Sequence, residues 1–334
     1  MNVMVTGATG FIGKHLVSML VEKGYTVHAI CRQESDASGL VREGVKVFRG
    51  DILDRLSLQK AAEGCSQVYH LAAYAKNWAA YREIYFQFNV LGLRNVIEAA
   101  LCGGVRKIVY TSSVVTLGPS NGVPTEESSI RKVDFFTDYE RSKAEAEKIV
   151  KKYIGSDLEI VTVFPTRVFG PGVLTEANSA TKLIALYALG KWRLVPGDGN
   201  ATGNYAYVED VARGHILAME KGIAGQTYIL GGENLSYNEF FSIVSTIARC
   251  RHYMIHVPNR VSLAIAYLEL FRAKIFASYP MLTPGWMRTY LIDWSCTSNR
   301  AEHDLGYKRT PFKEAVELTL DWINRERKYV GEMI

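Results

Sequence analysis

A chain that opens Met-Asn-Val-Met-Val-Thr-Gly-Ala-Thr-Gly-Phe-Ile-Gly has little freedom in what it builds next. Val3, Met4 and Val5 form the short apolar run of a strand buried on both faces, and the run breaks directly into Gly7, Gly10 and Gly13. Gly7 permits the sharp turn out of the strand, Gly10 lets backbone N–H groups approach a pyrophosphate, and Gly13 lets the following helix pack closely on the sheet. The helix N-terminus at Phe11 and Ile12 presents unpaired N–H groups and the positive end of its dipole to an anion. That helix carries His15, Leu16, Val17, Met19, Leu20 and Val21 and ends at Lys23-Gly24; a second strand, Thr26 to Cys31, follows at once. Strand, glycine turn, helix and strand make a βαβ unit, and a dinucleotide is its expected ligand.

The tip of the second strand is where the adenosine ribose of a dinucleotide lies. An acidic residue there would hold the two free ribose hydroxyls of NAD. This chain has Cys31 and then Arg32, a cation suited to a 2′-phosphate, so NADP(H) is favoured and NAD(H) is the alternative. A solvated loop charge is the competing reading of Arg32. Val45 to Phe48 is the third strand, followed by Gly50-Asp51-Ile52; the Asp51 carboxylate either accepts from the adenine amine or caps the helix near Asp54 to Glu63. Gln67 to Leu71 is the fourth strand, and its exit, Leu71-Ala72-Ala73, is small enough for a cofactor to lie against backbone. His70, with nothing nearby to orient it, reads as a packed histidine.

A helical pattern then covers about Tyr81 to Ala100, with Val90, Leu93, Val96, Ile97 and Ala100 at helix spacing. The fifth strand, Arg106 to Tyr110, leads into Thr111-Ser112-Ser113, three hydroxyls at the edge where open α/β sheets bind ligands. A further helix begins near Asp138 with Tyr139-Glu140-Arg141-Ser142-Lys143, so Tyr139 and Lys143 leave one helix face a single turn apart. A free tyrosine has a pKa of about 10, and an adjacent ammonium stabilises its phenolate, bringing the phenol toward a useful acid or base at neutral pH. A hydroxyl such as Ser113 can orient a carbonyl while the phenol donates its proton and a nicotinamide delivers hydride.

Together these stretches resemble the extended branch of the short-chain dehydrogenase/reductase superfamily, the NAD-dependent epimerase/dehydratase family. The resemblance runs over nearly the whole length. It includes Asn89-Val90-Leu91-Gly92, Phe164-Pro165-Thr166-Arg167-Val168-Phe169-Gly170-Pro171-Gly172 and Tyr205-Ala206-Tyr207-Val208-Glu209-Asp210-Val211-Ala212 besides the segments above. Within the branch the chain is most similar to the dihydroflavonol 4-reductase and 3β-hydroxysteroid dehydrogenase group. The resemblance implies an α/β fold, a doubly wound parallel sheet (Rossmann) with a smaller C-terminal substrate-binding region. Residues 1–169 would bind the dinucleotide, 205–230 would return to that unit, and 170–204 with 231–334 would form the substrate region. It implies that Ser113, Tyr139 and Lys143 are catalytic, with Lys143 also holding the nicotinamide ribose. It implies further that Thr111 borders the cofactor, that Asp51 and Ile52 meet the adenine, and that Pro165 to Val168 lie along the nicotinamide. A homodimer through the helices near residues 81 to 103 and 139 to 153 is part of the same expectation.

Two departures narrow the chemistry. Dehydratases of this branch carry an acidic pair just after the catalytic hydroxyl, where this chain has Val114 and Val115. Nucleotide-sugar enzymes place an arginine before the segment matching Tyr205 to Val208, where this chain has Gly203 and Asn204, so a sugar diphosphate loses a charge-assisted contact. The expected activity is therefore an NADP(H)-dependent reduction of a ketone or aldehyde, or oxidation of a secondary alcohol, on a mainly apolar small molecule. The alternatives are a nucleotide-sugar 4-epimerase with bound NAD, with Lys191, Arg193 or Arg288 supplying the missing charge, and a nucleotide-sensing protein without turnover.

Composition mainly excludes. The 39 basic and 34 acidic residues leave a formal charge of +5, too small and scattered to argue for nucleic acid. The five cysteines are odd in number and widely spaced, with neither a disulfide framework nor metal-type pairing, which fits a reducing cytoplasm. The chain opens on its first strand, so no leader is expected, and no apolar run reaches the ~18 residues of a membrane span. Ser236 followed by Glu239 predicts a capping box at the start of a helix. The aromatic-rich stretch Val261 to Trp294, broken by Glu269, Arg272, Lys274, Arg288 and Asp293, fits a lid, a membrane-surface helix or core packing. Packing with some contribution to the substrate pocket is the expectation.

Overall fold

In the computed structural model, which describes residues 1–326 apart from 42, 173, 175–177 and 277, the opening strand β1 (Asn2–Thr6) lies in the interior of a sheet. Chain order explains why. After helix α1 (Phe11–Glu22), strand β2 (Thr26–Cys31) pairs parallel to β1 and β3 (Val45–Arg49) pairs parallel to β2. Helix α2 (Arg55–Ala62) then returns the chain to the opposite side of β1, where β4 (Gln67–His70) pairs with it. The strand order therefore reverses between β1 and β4, and the loops leaving their carboxyl ends diverge into a crevice, the position at which open sheets bind ligands.

The sheet continues outward through β5 (Lys107–Thr111), β6 (Glu159–Pro165) and β10 (Thr227–Leu230), seven parallel strands in the order β10-β6-β5-β4-β1-β2-β3. Alternation along β1 feeds two cores. Val3 and Val5 pack toward Leu16, Val17 and Leu20 of α1 and Val211 and Ile216 of helix α7 (Val208–Lys221). Met4 faces the other way, toward Leu58 of α2, Val96 of helix α4 (Gly92–Cys102) and Ile149 of helix α5 (Asp138–Lys151). Both faces being covered is what makes the strand run apolar throughout.

The helical pattern from Tyr81 onward is a composite: helix α3 (Glu83–Phe86), one π-helical segment over Gln87–Leu91, and α4. The widened turn carries Asn89, whose amide donates to Ser142 Oγ of α5 at 2.8 Å and whose carbonyl oxygen accepts from Tyr74 N at 2.7 Å. It thereby pins the loop after β4 to α5.

β6 ends at Pro165, after which the chain leaves the main sheet and forms β7 (Arg167–Phe169). β7 pairs parallel with β9 (Thr202–Tyr207), which pairs antiparallel with β11 (Glu233–Ser236), while β8 (Leu194–Pro196) pairs with β12 (Ile255–Val257). Helix α6 (Ser179–Ala188), helix α8 (Tyr237–Ile247) and helix α11 (Phe312–Arg325) pack beside them around Phe169, Tyr205, Phe240 and Phe312. The capping box is formed, Ser236 and Glu239 each satisfying the other's backbone N–H.

Helix α9 (Asn259–Ile275) departs from the packing expectation. Its small residues Ser262, Ala266 and Ala273 are buried, whereas Val261, Ile265, Leu268, Phe271 and Ile275 are 47% to 66% exposed. Helix α10 (Pro284–Tyr290) instead turns Trp286 and Tyr290 toward a cavity that also holds Ser113 and Tyr139. Among the described residues no helix is long and apolar enough to cross a membrane.

Candidate active site

The glycine turn has the geometry that a close-approaching dinucleotide requires. Gly7 sits at φ +72°, and a Cβ there would meet Ala72 N at 2.7 Å. Gly10 N donates to Gly7 O at 2.9 Å, and a Cβ on Gly13 would lie 2.1 Å from that same oxygen. Thr6 ties the two crevice loops together: its hydroxyl accepts from Ala72 N at 3.1 Å and bonds His70 Nδ1 at 2.7 Å. His70 is thus a packed histidine with a partner, stacked on Tyr110 and pulled down to about 3 by burial and the nearby Lys143 charge. Phe11 and Ile12 open α1, Leu71 to Ala73 line the facing loop, and all lie at the crevice.

Other cofactor candidates fall out differently. Asp54, not Asp51, caps α2 by accepting from Leu56 N at 3.0 Å; Asp51 accepts from Leu53 N at 2.8 Å. Ile52 is buried against Gly92, where a Cβ would meet its Cδ1 at 2.6 Å. Arg32 stands more than half exposed beside Glu34, 3.2 Å away, and its loop is held by Arg49 donating to the carbonyls of Arg32 and Ser35. Thr111 directs its hydroxyl into the core, 2.9 Å from His215 Nε2. Pro165 and Val168 flank the step from β6 to β7, and Val168 lines the cavity described next.

That cavity brings Ser113 and Tyr139 together, with Val114, Val115, Arg167, Asn204, Trp286, Thr289, Tyr290 and Trp294 around them. Ser113 caps the short 3₁₀ turn after β5. Tyr139 stands in the first turn of α5, which starts where the Thr137 hydroxyl accepts from Glu140 N, and its ring stacks on Trp286 with centroids 6.2 Å apart. A larger hollow between the 119–122 and 196–201 loops shares neither Ser113 nor Tyr139.

Electrostatically the pair differs from the spacing argument. Burial pushes the Tyr139 phenol up to about 12, while the Ser113 hydroxyl acts on it in the opposite sense. Lys143, one turn on, donates to Thr111 O at 2.7 Å and lies over the Tyr110 ring rather than on the phenol. Burial pulls Lys143 down to about 7, against the charge of Glu147. Glu147 itself accepts from Ser112 Oγ at 2.5 Å.

The start of α5 is anchored by a buried ion pair that the sequence did not disclose. Glu140, with no exposed side-chain surface, accepts from Arg131 at 2.7 Å and from Phe136 N at 3.0 Å, and Arg131 also donates to Val115 O. Removing one partner of a buried pair strands the other's charge, so Glu140→Ala is expected to cost about 3–5 kcal/mol. Urea unfolding would show this as a lower midpoint at unchanged slope; a loss under ~1 kcal/mol would mean that the pair is dispensable.

Two groups of cavity residues escaped the sequence reading. Trp286, Thr289, Tyr290 and Trp294 lay inside a stretch whose only signal was aromatic content. Arg167 lay inside a motif expected to run along the nicotinamide; the signal that could have singled it out is Gly203, whose absent side chain leaves the guanidinium its space.

The family model described as "NAD dependent epimerase/dehydratase family" matches residues 3–231. "Sterol demethylase protein B" of Methylococcus capsulatus is 30% identical over 98% of this chain and 99% of that protein. "Putative dihydroflavonol 4-reductase" of Synechocystis sp. is 30% identical over 95% of this chain and 93% of its own length. The crystal structure of gox2253 superposes with a TM-score of 0.82 at 30% identity, covering 97% of this chain and 98% of that one.

Proposed function

The chain belongs to the NAD dependent epimerase/dehydratase family, and on that premise we propose that it is an NADP(H)-dependent reductase of a ketone or aldehyde, or dehydrogenase of a secondary alcohol, on a mainly apolar molecule. The observation that carries this reading is the convergence of Ser113 and Tyr139 in one cavity whose other walls include Val114, Val115, Trp286 and Trp294. The names of the two reductase- and sterol-related proteins agree with it.

Gly7, Gly10 and Gly13 would hold the pyrophosphate, Asp51 and Ile52 the adenine, Arg32 the 2′-phosphate, and Lys143 the nicotinamide ribose. Bound, the nicotinamide supplies or removes a hydride. The chain's own residues do the rest. Ser113 donates a hydrogen bond to the substrate oxygen, Tyr139 passes that oxygen its proton in reduction, and the aromatic walls exclude water from the reacting carbon. Residues 231–326 contribute those walls through α10 and Trp294, and residues 170–204 add Ser179, Ala180 and Asn204 to the cavity. Neither Lys191, Arg193 nor Arg288 lines this cavity, which weakens the nucleotide-sugar alternative; Arg288 donates to Tyr267.

The cofactor preference has its own test. The Arg32–Glu34 pair is exposed and therefore worth at most ~1 kcal/mol, so the guanidinium is free to move to a phosphate. Arg32→Ser is expected to lower kcat/KM for NADPH by about 10- to 100-fold with NADH little changed, read from steady-state rates with each cofactor. Equal losses with both, or none with either, would remove Arg32 from the phosphate site.

A further inference from the structure

We propose that Arg167 anchors a carboxylate on the substrate, making the substrate class a keto acid or hydroxy acid with an apolar remainder. This rests on the reading of Ser113 and Tyr139 given above, because it concerns the same cavity.

Arg167 reaches the cavity from β7 with its guanidinium packed between the rings of Tyr205, Tyr237 and Tyr290, each 5.6 or 5.7 Å from the guanidinium carbon. Its Nη1 donates to Tyr237 Oη at 3.1 Å and Tyr205 Oη at 3.3 Å. Nη2 is enclosed and has no hydrogen-bond partner, and among the described residues no carboxylate pairs with the side chain. Arg131 shows what a structural arginine in this protein looks like: similarly enclosed, it meets Glu140 and three carbonyls. A permanently charged group held in a cleft with donors unspent needs an acceptor, and the cavity is where one can come from.

The space it occupies is prepared. A Cβ on Gly203 would lie 2.5 Å from Nη1 and 2.9 Å from the guanidinium carbon, although the Gly203 backbone needs no left-handed conformation. The glycine is therefore steric: β9 gives up a side chain so that β7 can place a cation there. A guanidinium whose Nη1 is already spent on two phenols keeps its Nε and Nη2 side for a single carboxylate, which takes two N–H groups in a fork. A nucleoside diphosphate carries more charge than this one side chain offers, and Arg167 is the sole cation among the described residues lining the cavity.

The test compares acid with neutral isostere. With NADPH present, octanoate and octan-1-ol are titrated against the fluorescence of the cavity tryptophans, and kcat/KM is measured for 3-oxooctanoate and its methyl ester. The wild type is expected to prefer the acid by about 10- to 100-fold in both assays, through Kd and KM rather than kcat. Arg167→Met should bring both ratios to near one. Gly203→Ala, which keeps the charge in the chain but displaces the guanidinium, should do the same and decides the matter where Arg167→Met does not fold. Ratios near one in the wild type, or unchanged in the variants, overturn the proposal. So does UDP-glucose binding that both variants abolish while octanoate binding persists. If no ketone is reduced with either cofactor yet octanoate binding still depends on Arg167, the anchor stands and the proposed reaction falls.

Discussion

Replacing Tyr139 by Phe is expected to lower turnover by about 10²- to 10⁴-fold, the range over which a positioned proton donor contributes, while cofactor affinity changes little. The substitution keeps the ring that stacks on Trp286 and removes only the hydroxyl, so packing is not what the experiment reads. The direction of the Tyr139 shift adds a second readout. Held at about 12 by burial, the phenol is protonated throughout the neutral range, which is the form that reduction consumes. Oxidation of the alcohol needs the deprotonated form, whose population grows about tenfold per pH unit below that pKa. Reduction should therefore be insensitive to the phenol near neutrality, whereas oxidation should climb with pH, and the Phe variant should lose the climb. Rates measured in both directions across pH would reveal it. A Phe variant within about threefold of the wild type would show that another group moves the proton.

How much of this was legible depended on the distance along the chain over which each feature is written. The turn at Gly7 to Gly13 and the Tyr139–Lys143 spacing are local, and the fold that surrounds them follows from alternating strand and helix signals. The destination of a side chain is not local. Nothing near Lys143 says that its ammonium ends on Thr111 O, because β5 and α5 are brought together only by the sheet. Arg131 and Glu140 are each ordinary surface residue types, and it takes the loop before α5 folding back to bury them as a pair. Asp51 is a plausible cap by sequence, and only the geometry of the first turn of α2 shows that Asp54 is the carboxylate that reaches an N–H of the helix. Arg167 was read with its neighbours in sequence, although its partners are on β9 and α8, and Gly203 becomes meaningful only once β7 lies beside it. The exposed apolar side of α9 has the same cause: a helix with apolar residues on every side gives no sign of which face the core takes.

Gly13→Ala is the harsher test of the cofactor site, because one methyl group there has nowhere to go. At 2.1 Å from Gly7 O it would force α1 away from the turn, and the oxygen it displaces is the one that holds Gly10 N in place. The N–H groups at the start of α1 would then no longer converge on one anion. The dissociation constant for NADPH is expected to rise by roughly 100-fold or more, with an overpacking cost of about 1–3 kcal/mol in stability besides. Gly24→Ala separates the two effects. Gly24 sits at φ +82°, and a Cβ added there would have nothing within 4 Å, so its substitution costs about 1 kcal/mol of backbone strain at a position remote from the turn. Urea unfolding of the two variants should show a stability loss in both, and calorimetric titration with NADPH an affinity loss only in Gly13→Ala. Normal NADPH binding by a folded Gly13→Ala protein would mean that the opening turn is not where the pyrophosphate sits, and the assignments of Arg32, Asp51 and Lys143 to the cofactor, which are measured outward from that turn, would go with it.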